Sequence, residues 1–426
     1  MSLRLLFIQH AGTPGGSVVS LRYLVEGMIG AGHDVAVAMV EPNSEVRTLY
    51  EGCGATVLDT PEIPLFRHTT AGWARLGDPR ACLYQARAFA KRSAGVARAR
   101  QLINAWKPDV VHLNSVTLAI LANGLRDCGV PLVWHVRESP VRGYCGMRLR
   151  YLRESLLHEA DEIIFLSESD RQAWVQGRRG QVVHNVVPIH DQPGAEAIGK
   201  ERERFGLEPG DRAVAYVGGL TEIKGIFPLI QAVRELAPRF PRLRIVAPGM
   251  ELTEPRTLKA RIARRVLPAL GLARDYERAN HEIGSPELAA FFRRSPFVHD
   301  ILPVLAACEF LVFPSTRPHF ARPVVEAANV GRPAIGSDLG GVCDLIEPGR
   351  TGVLVPAGNA KALAAAMDQL LSDPAHTAAM GQAARATARD RFDAAAQVKR
   401  IAGIYEAVRH GARRSGGPTV EQAATA

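Results

Sequence analysis

The sequence predicts an α/β protein built on parallel sheets, and three observations predict it. Short apolar runs without helical period, such as Phe310-Leu311-Val312-Phe313, read as buried parallel strands. These runs alternate with amphipathic helical stretches through both halves of the 426 residues. Polar residues recur at the C-terminal ends of successive strands, where the rim of such a sheet holds ligands. The length gives room for two or three domains, each with an ample core.

In the first half, Leu3 to Ile8 is a strand. A loop follows from His10 through Gly15 and Gly16 to Ser17. Val18, Leu21, Leu24, Val25 and Met28 then mark the inner face of a helix, Gly32 caps it, and Asp34 to Val40 is the next strand. A right-handed βαβ unit of this kind seeds a parallel sheet. Gly15-Gly16 lets backbone N–H groups approach a phosphate or sugar closely. The spacing is not that of a dinucleotide fingerprint, and alone the pair reads as a tight turn. Val57-Leu58 is a short strand, and Ala81 to Trp106 is one long helix carrying Arg87, Lys91, Arg92, Arg98 and Arg100. Four more strands end in polar residues: Asp109–Leu113 at Asn114-Ser115, Leu132–Trp134 at His135-Val136-Arg137-Glu138, Ile163–Leu166 at Ser167, and Val182-Val183 at His184-Asn185. A histidine after a strand is most often structural, and Glu138 can simply pair Arg137 or Arg142. Arg142 to Arg153 adds cations beside Tyr144 and Tyr151, either a solvated helix face or a patch for an acceptor or a membrane.

Polar residues without apolar period from Pro188 to Lys200 read as a linker. The expected division is a first domain over 1–188, a linker over 189–204, a second domain over 205–390, a final helix over 391–410 and a disordered tail over 411–426. In the second domain, the strand Ala213–Val217 runs into Gly218-Gly219, then Lys224-Gly225 and a helix from Ile226 to Ala237. A glycine turn entering a helix with one lysine at its edge is a cradle for a diphosphate: the lysine supplies a point charge and the helix start supplies N–H donors. Leu243–Val246 is the next strand. Arg256 to Arg265 reads as a basic amphipathic helix, either solvated or docking anionic lipid or a lipid-linked acceptor. Asp300 to Ala307 leads into the strand Phe310–Phe313, which Pro314 and Ser315 end. Pro323 suits the first position of a helix, Glu326 lies in its first turn, and Gly331 closes it. Ala334-Ile335 returns to the sheet, and Gly340-Gly341 turns. Gly352 to Pro356, an Asn359-capped helix to Leu371 and an amphipathic helix marked by Val398, Ile401, Ile404 and Val408 complete the chain.

Met1 to His10 is too short an apolar run for a signal peptide, and no window has the apolar length to span a bilayer. Six cysteines lie scattered without a CxxC pair, which reads as reduced cytosolic thiols and no metal site. The net charge of +9 suits an anionic partner or simply solvated helix faces. It comes with no recognisable nucleic-acid module, so no nucleic-acid partner is expected.

The stretch Pro314 to Gly341 resembles the signature of the retaining glycosyltransferases of the GT-B fold, family four, which typically read P-S-x-x-E-G-F-G-x-P-x-x-E-A-x-A-x-G-x-P. Pro314, Ser315, Phe320, Glu326, Ala327, Gly331 and Pro333 match. The family's first glutamate falls on Pro318, and its flanking glycines on His319 and Ala321; Arg322 is found in a side branch. Val217 to Gly225 resembles the family's V-G-R-L-x-x-x-K-G turn with Lys224 and Gly225 kept, but Gly219 stands in the arginine's place. Gly15-Gly16 and His135 resemble its donor-facing loop and strand-end histidine.

The resemblance implies two Rossmann-like domains whose parallel sheets face each other across a cleft, with the last helix crossing back to the first. It implies transfer of a sugar from a nucleotide-diphosphate sugar to an acceptor hydroxyl with retention, in cell-surface polysaccharide, lipopolysaccharide or glycolipid synthesis. The catalytic set would be His135, Lys224 and Glu326. The donor would meet Gly15, Gly16, Gly218, Gly219, Lys224, Phe320, Arg322, Val324 and Glu326, with Glu326 on the ribose hydroxyls. Arg322, or in second place Arg317, is expected to replace the guanidinium missing at Gly219. Ser115, Arg137, Glu138 and Asn185 would serve the acceptor or sugar side. No metal and no permanently bound cofactor is implied. The partners would be the nucleotide sugar, a carbohydrate or lipid-linked acceptor and, at the cytoplasmic face, an anionic membrane. A retaining glycosidase would need two carboxylates about 5 Å apart, and this signature offers Glu326 alone. The alternative is a degenerate member that binds a nucleotide sugar without transferring it.

Overall fold

The computed structural model describes residues 2–13, 15–66, 79–188, 191–250, 275–296, 298 and 300–414. The chain divides into two compact units, Met1–Pro188 with Ala394–Ala426, and Ile189–Asp393. Each is an α/β layer structure around one wholly parallel sheet.

The sheet of the first unit comprises β1 (Arg4–Gln9), β2 (Asp34–Met39), β3 (Thr56–Asp59), β4 (Val110–Leu113), β5 (Leu132–Val136), β6 (Glu162–Phe165) and β7 (Gln181–Val182), in the order β3-β2-β1-β4-β5-β6-β7. Its inner strands are buried on both faces, so they read as near-continuous apolar runs, while the edge strands β3 and β7 are only half-buried or exposed. β1 and β4 pair with Phe7 opposite His112. Strand order reverses between these two, which opens a crevice beyond their carboxyl ends. One face is covered by the helix Arg92–Trp106 and its neighbours. The other is covered by the helices Gly16–Gly30 and Ala394–Arg414, whose Ile401, Ile404 and Tyr405 are buried with Leu5 and Phe7. Those two helices approach closely at Gly27, where a Cβ would fall 2.4 Å from Val398.

The sheet of the second unit comprises β8 (Arg212–Tyr216), β9 (Leu243–Pro248), β10 (Phe292–Ser295), β11 (Phe310–Phe313), β12 (Ala334–Ser337) and β13 (Gly352–Val355), in the order β10-β9-β8-β11-β12-β13. Here the order reverses between β8 and β11, which pair with Val312 opposite Tyr216. The helix Ile226–Leu236 buries Ile226, Leu229, Ile230 and Val233 against it.

Four elements differ from expectation. The helix expected over 81–106 is two, Pro79–Ala90 and Arg92–Trp106, broken at Lys91 with no proline or glycine to mark the joint. The stretch 189–204, expected as a linker, contains the helix Ala195–Arg204. No residue of that helix is buried, so it carries no apolar period; Glu196 pairs Lys200 along it, and Arg202 donates to the Ala307 carbonyl. The edge strand β10 and the helix Pro374–Arg391 were not anticipated. The basic helix expected over 256–265 lies outside the described residues. Of the expected tail, 411–414 continue the last helix and 415–426 lie outside the described residues. No helix among the described residues is long and apolar enough to cross a membrane.

Candidate active site

Each unit carries a polar cluster at the point where its strand order reverses. In the second unit it is built on the turn after β8. Tyr216 is fully buried, and its hydroxyl donates to the carbonyls of Gly219 at 2.8 Å and Lys224 at 3.2 Å, pinning both ends of the turn. Gly225 has φ +78°, and a Cβ there would lie 1.7 Å from the Pro314 carbonyl oxygen, so this position must be glycine. That contact sets Lys224 beside the carboxyl end of β11. The Lys224 Nζ lies 2.7 Å from His319 Nε2 and 5.5 Å from the centre of the Phe313 ring. His319 Nδ1 lies 3.0 Å from the Arg317 carbonyl, to which it can only donate, so Nε2 is left to accept from the ammonium. Burial, and then the Lys224 charge, push His319 down to about 3, so it is neutral. Burial pulls Lys224 down to about 8. Among the described residues no carboxylate pairs with it.

Glu326 lies on the helix Arg322–Asn329 and is 6% exposed. Its Oε1 pairs with Arg322 Nε at 3.1 Å, one turn back on the same helix; its Oε2 is buried without a hydrogen-bond partner among the described residues. Burial raises its pKa, Arg322 opposes that, and Asp300 adds to it. Gly218 and Gly219 form the turn itself; a Cβ at Gly218 would meet the Tyr216 ring at 2.8 Å, and Gly219 has φ +76°. Phe320 is half-buried, and the 319–320 backbone packs so tightly on Gly341 that a Cβ there would lie 2.7 Å from the His319 carbonyl. Val324 is different: its side chain is in the core and its N–H donates to the Ala321 carbonyl.

In the first unit the cluster centres on Arg137, just beyond β5. Its Nε and Nη1 donate to the side-chain oxygens of Asn114 and Asn185, both at 2.5 Å. Asn114 in turn donates to Gln9 at 2.7 Å. His135 lies within β5 and is 1% exposed, and neither ring nitrogen has a partner among the described residues. Its ring is 5.3 Å from that of His112, whose Nδ1 is 2.7 Å from the Tyr405 hydroxyl. Glu138 and Ser115 are spent on each other. The Ser115 hydroxyl donates to one carboxylate oxygen, and the backbone N–H groups of Val116 and Arg137 donate to the other, each at 3.2 Å. These two residues therefore build the loop that carries Arg137. Burial raises the pKa of Glu138. Burial together with the Arg137 charge pulls His10 down to about 4 and both His112 and His135 well below the usual imidazole value. Burial lowers Arg137 itself to about 10, with the neighbouring Glu138 carboxylate opposing the fall. Gly15 is extended at the start of the helix Gly16–Gly30, and the space where a Gly16 side chain would project is open.

The structure thus brings His135, Arg137, Asn185, Ser115 and Glu138 together in one unit; in the other it sets Lys224 on His319 at the Gly218-Gly219 turn, and separately pairs Arg322 with Glu326. Sequence reasoning missed His319, His10, His112, Asn114 as a ligand of Arg137, and Tyr405. His10 and Asn114 carried a usable signal, since both follow strands at the reversal of order. His319 and Tyr405 carried none.

Residues 198–387 match the profile of the family described as glycosyl transferases group 1, and residues 15–189 match that of the glycosyl transferase 4-like domain. The D-inositol 3-phosphate glycosyltransferase of Streptomyces avermitilis is 30% identical over 234 residues, covering 53% of this chain and 45% of its own length. That of Streptomyces bingchenggensis is 28% identical over 322 residues, covering 72% and 64%. The chain therefore spans between about half and two thirds of the length of these relatives. Among solved structures, Anabaena HepE in complex with UDP-glucose superposes with a TM-score of 0.74 at 21% identity, covering 95% of this chain and all of that one. This last is a likeness of fold.

Proposed function

Since the chain belongs to the group 1 glycosyltransferases of the GT-B fold, we propose that it transfers a sugar from a nucleotide-diphosphate sugar to an acceptor hydroxyl with retention of anomeric configuration. The observation that carries this reading is Lys224. It is an ammonium at the mouth of a glycine turn, oriented by a neutral imidazole and paired with no carboxylate among the described residues. A half-buried cation without an anion is costly, and a diphosphate supplies the missing charge. As the sugar departs, negative charge grows on that diphosphate, so a preorganised cation there lowers the barrier.

The reading assigns the donor to the second unit and the acceptor to the first. The unpartnered Oε2 of Glu326 supports a role in accepting from a ribose diol while Oε1 keeps hold of Arg322. Gly15, Gly16 and His135 are assigned to the donor sugar, and the Arg137 cluster to the acceptor. No metal is required, because Lys224 and the turn amides supply the countercharge. The product would enter a cell-surface polysaccharide, lipopolysaccharide or glycolipid. The UDP-glucose held by the Anabaena neighbour makes uridine nucleotides the first donors to test.

The test is calorimetry with UDP, GDP, ADP and their sugars. One of them is expected to bind below millimolar concentration, and Lys224→Ala is expected to abolish that binding; silence from all at millimolar strength ends this reading. A binding protein that holds the donor without transferring it is the alternative, favoured by the missing guanidinium at Gly219 and by the tie between Arg322 and Glu326. Consumption of the nucleotide sugar when an acceptor extract is added separates the two, and the anomeric signal of the product reports retention.

A further inference from the structure

Lys224 and His319 sit on two segments of the second unit that the fold laces together. The Thr316 N–H donates to the Ile223 carbonyl at 2.9 Å, and its hydroxyl donates to the Glu222 carbonyl at 3.0 Å. Gly225 packs on the Pro314 carbonyl beside them. The loop after β11 is thus fixed to the turn after β8 by contacts that involve neither side chain of the pair. His319 is fixed within that loop as well. Its Nδ1 donates to the Arg317 carbonyl at 3.0 Å, and the same carbonyl accepts from the buried Ser315 hydroxyl at 2.9 Å. Its ring lies 5.1 Å from that of Phe313, and Gly341 packs on its carbonyl.

These constraints leave Nε2 as an acceptor aimed at the Lys224 ammonium, 2.7 Å away. An ammonium has three N–H groups, and among the described residues this is the one hydrogen bond it makes. Two N–H groups and the whole positive charge stay open to a ligand. A carboxylate in the same place would hold the ammonium as firmly and neutralise it. An aliphatic side chain would leave it free on its flexible four-carbon stem. An imidazole locked in this tautomer orients the cation and leaves its charge intact. The other groups facing the pair are uncharged: the Tyr216 hydroxyl is committed to the Gly219 and Lys224 carbonyls, and Phe313 presents its ring. Glu222 and Arg317, charged residues two positions before the members of the pair, are exposed. The family pattern has a glycine where His319 stands, so the imidazole is this chain's own addition.

We propose that His319 is a positioning residue for donor binding: as a neutral acceptor it holds the Lys224 ammonium at the glycine turn, so that the full charge meets the diphosphate. The proposal rests on reading Lys224 as the diphosphate's cation, and it adds the reason that a histidine and no acid stands beside it. Gly219 removes one cation and Glu326 holds Arg322, so this site depends on the charge of Lys224 more than the family pattern does.

The experiment compares the full wild-type chain with His319→Gln, His319→Glu and His319→Ala. One arm is calorimetry with UDP; the other, without nucleotide, follows acylation of Lys224 by acetic anhydride across pH, read by mass spectrometry. His319→Gln keeps a neutral acceptor at similar reach and should bind UDP within about twofold of wild type. His319→Ala should bind about five- to tenfold more weakly, since the ammonium must then be ordered by the ligand alone. His319→Glu should bind at least about tenfold more weakly at pH 7, because its carboxylate neutralises the cation. It should also move the inflection of Lys224 acylation from about pH 8 to above about pH 9. Glutamine and glutamate have nearly the same shape, so a mere packing role would treat these two variants alike. Equal UDP affinity in His319→Gln and His319→Glu overturns the proposal, and so does wild-type affinity in His319→Ala; the first pair decides where His319→Ala does not fold. Failure of wild type to bind any nucleoside diphosphate strikes the nucleotide reading, and the acylation arm then judges the pairing by itself. An inflection that rises in His319→Glu leaves His319 as the group that positions the ammonium, and one that stays in place overturns it.

Discussion

Each unit holds a cation whose pKa burial lowers, yet the two are held by different chemistry. Lys224 leans on one neutral imidazole and an aromatic ring, and its pKa comes down to about 8. Arg137 is gripped by two amide oxygens and comes down only to about 10, so it stays charged throughout the physiological range. Lys224 can release its proton when no anion is present, and Arg137 cannot. The first suits a ligand whose charge grows and leaves during a reaction. The second suits a contact whose geometry is to stay fixed.

The largest effect should come from removing the cation that faces developing charge. Lys224→Ala is expected to lower kcat about 10²–10³-fold, the loss typical of one transition-state donor. Arg137→Gln should instead raise the acceptor KM much more than it lowers kcat. Steady-state kinetics on both variants would break the comparison if the two patterns were exchanged. Next in size is a pH effect confined to Lys224. Its folded pKa is below the ordinary lysine value, so the unfolded chain binds more protons, and this group makes the unliganded chain more stable as pH rises from about 8 towards 10.5. Nucleoside diphosphate, which needs the ammonium, should bind about tenfold more weakly at pH 9 than at pH 7. Lys224→Arg should flatten that profile, and calorimetry at the two pH values checks it. The smallest effect is expected at Tyr405→Phe. It leaves the buried Nδ1 of His112 without its partner and should cost about 1–3 kcal/mol in denaturant unfolding.

How much of this was legible depended on distance along the chain. The parallel sheets were readable because β11 and β5 are apolar runs bounded by turn residues, and the Lys224 turn because glycine, lysine and helix start lie within nine residues. The pairing of Arg322 with Glu326 was readable in principle, since residues four apart on a helix are neighbours. It was passed over because the arginine was assigned to the diphosphate. His319 stands where the family pattern has a glycine, and no spacing rule says that its ring would lean on Lys224. Glu138 was assigned to the ligand; in the structure its carboxylate caps a loop start, because Ser115 and the Val116 amide reach it from another strand end. The break at Lys91 has no breaker residue, and the helix Ala195–Arg204 has no apolar stripe, so periodicity was silent on both.

The contact between Tyr405 and His112 joins positions 293 residues apart. A ribosome makes all of β1 to β7 early, then the whole of Ile189–Asp393, and only then the residue that partners the buried His112. Domains fold as units and from the N-terminus during synthesis. Here that order is inverted for the finishing step, since the nascent first unit must wait, with one face of its sheet covered by Gly16–Gly30 but not yet by Ala394–Arg414, until its partner unit has been translated. The earlier-made half of the molecule is therefore the later one to complete its core.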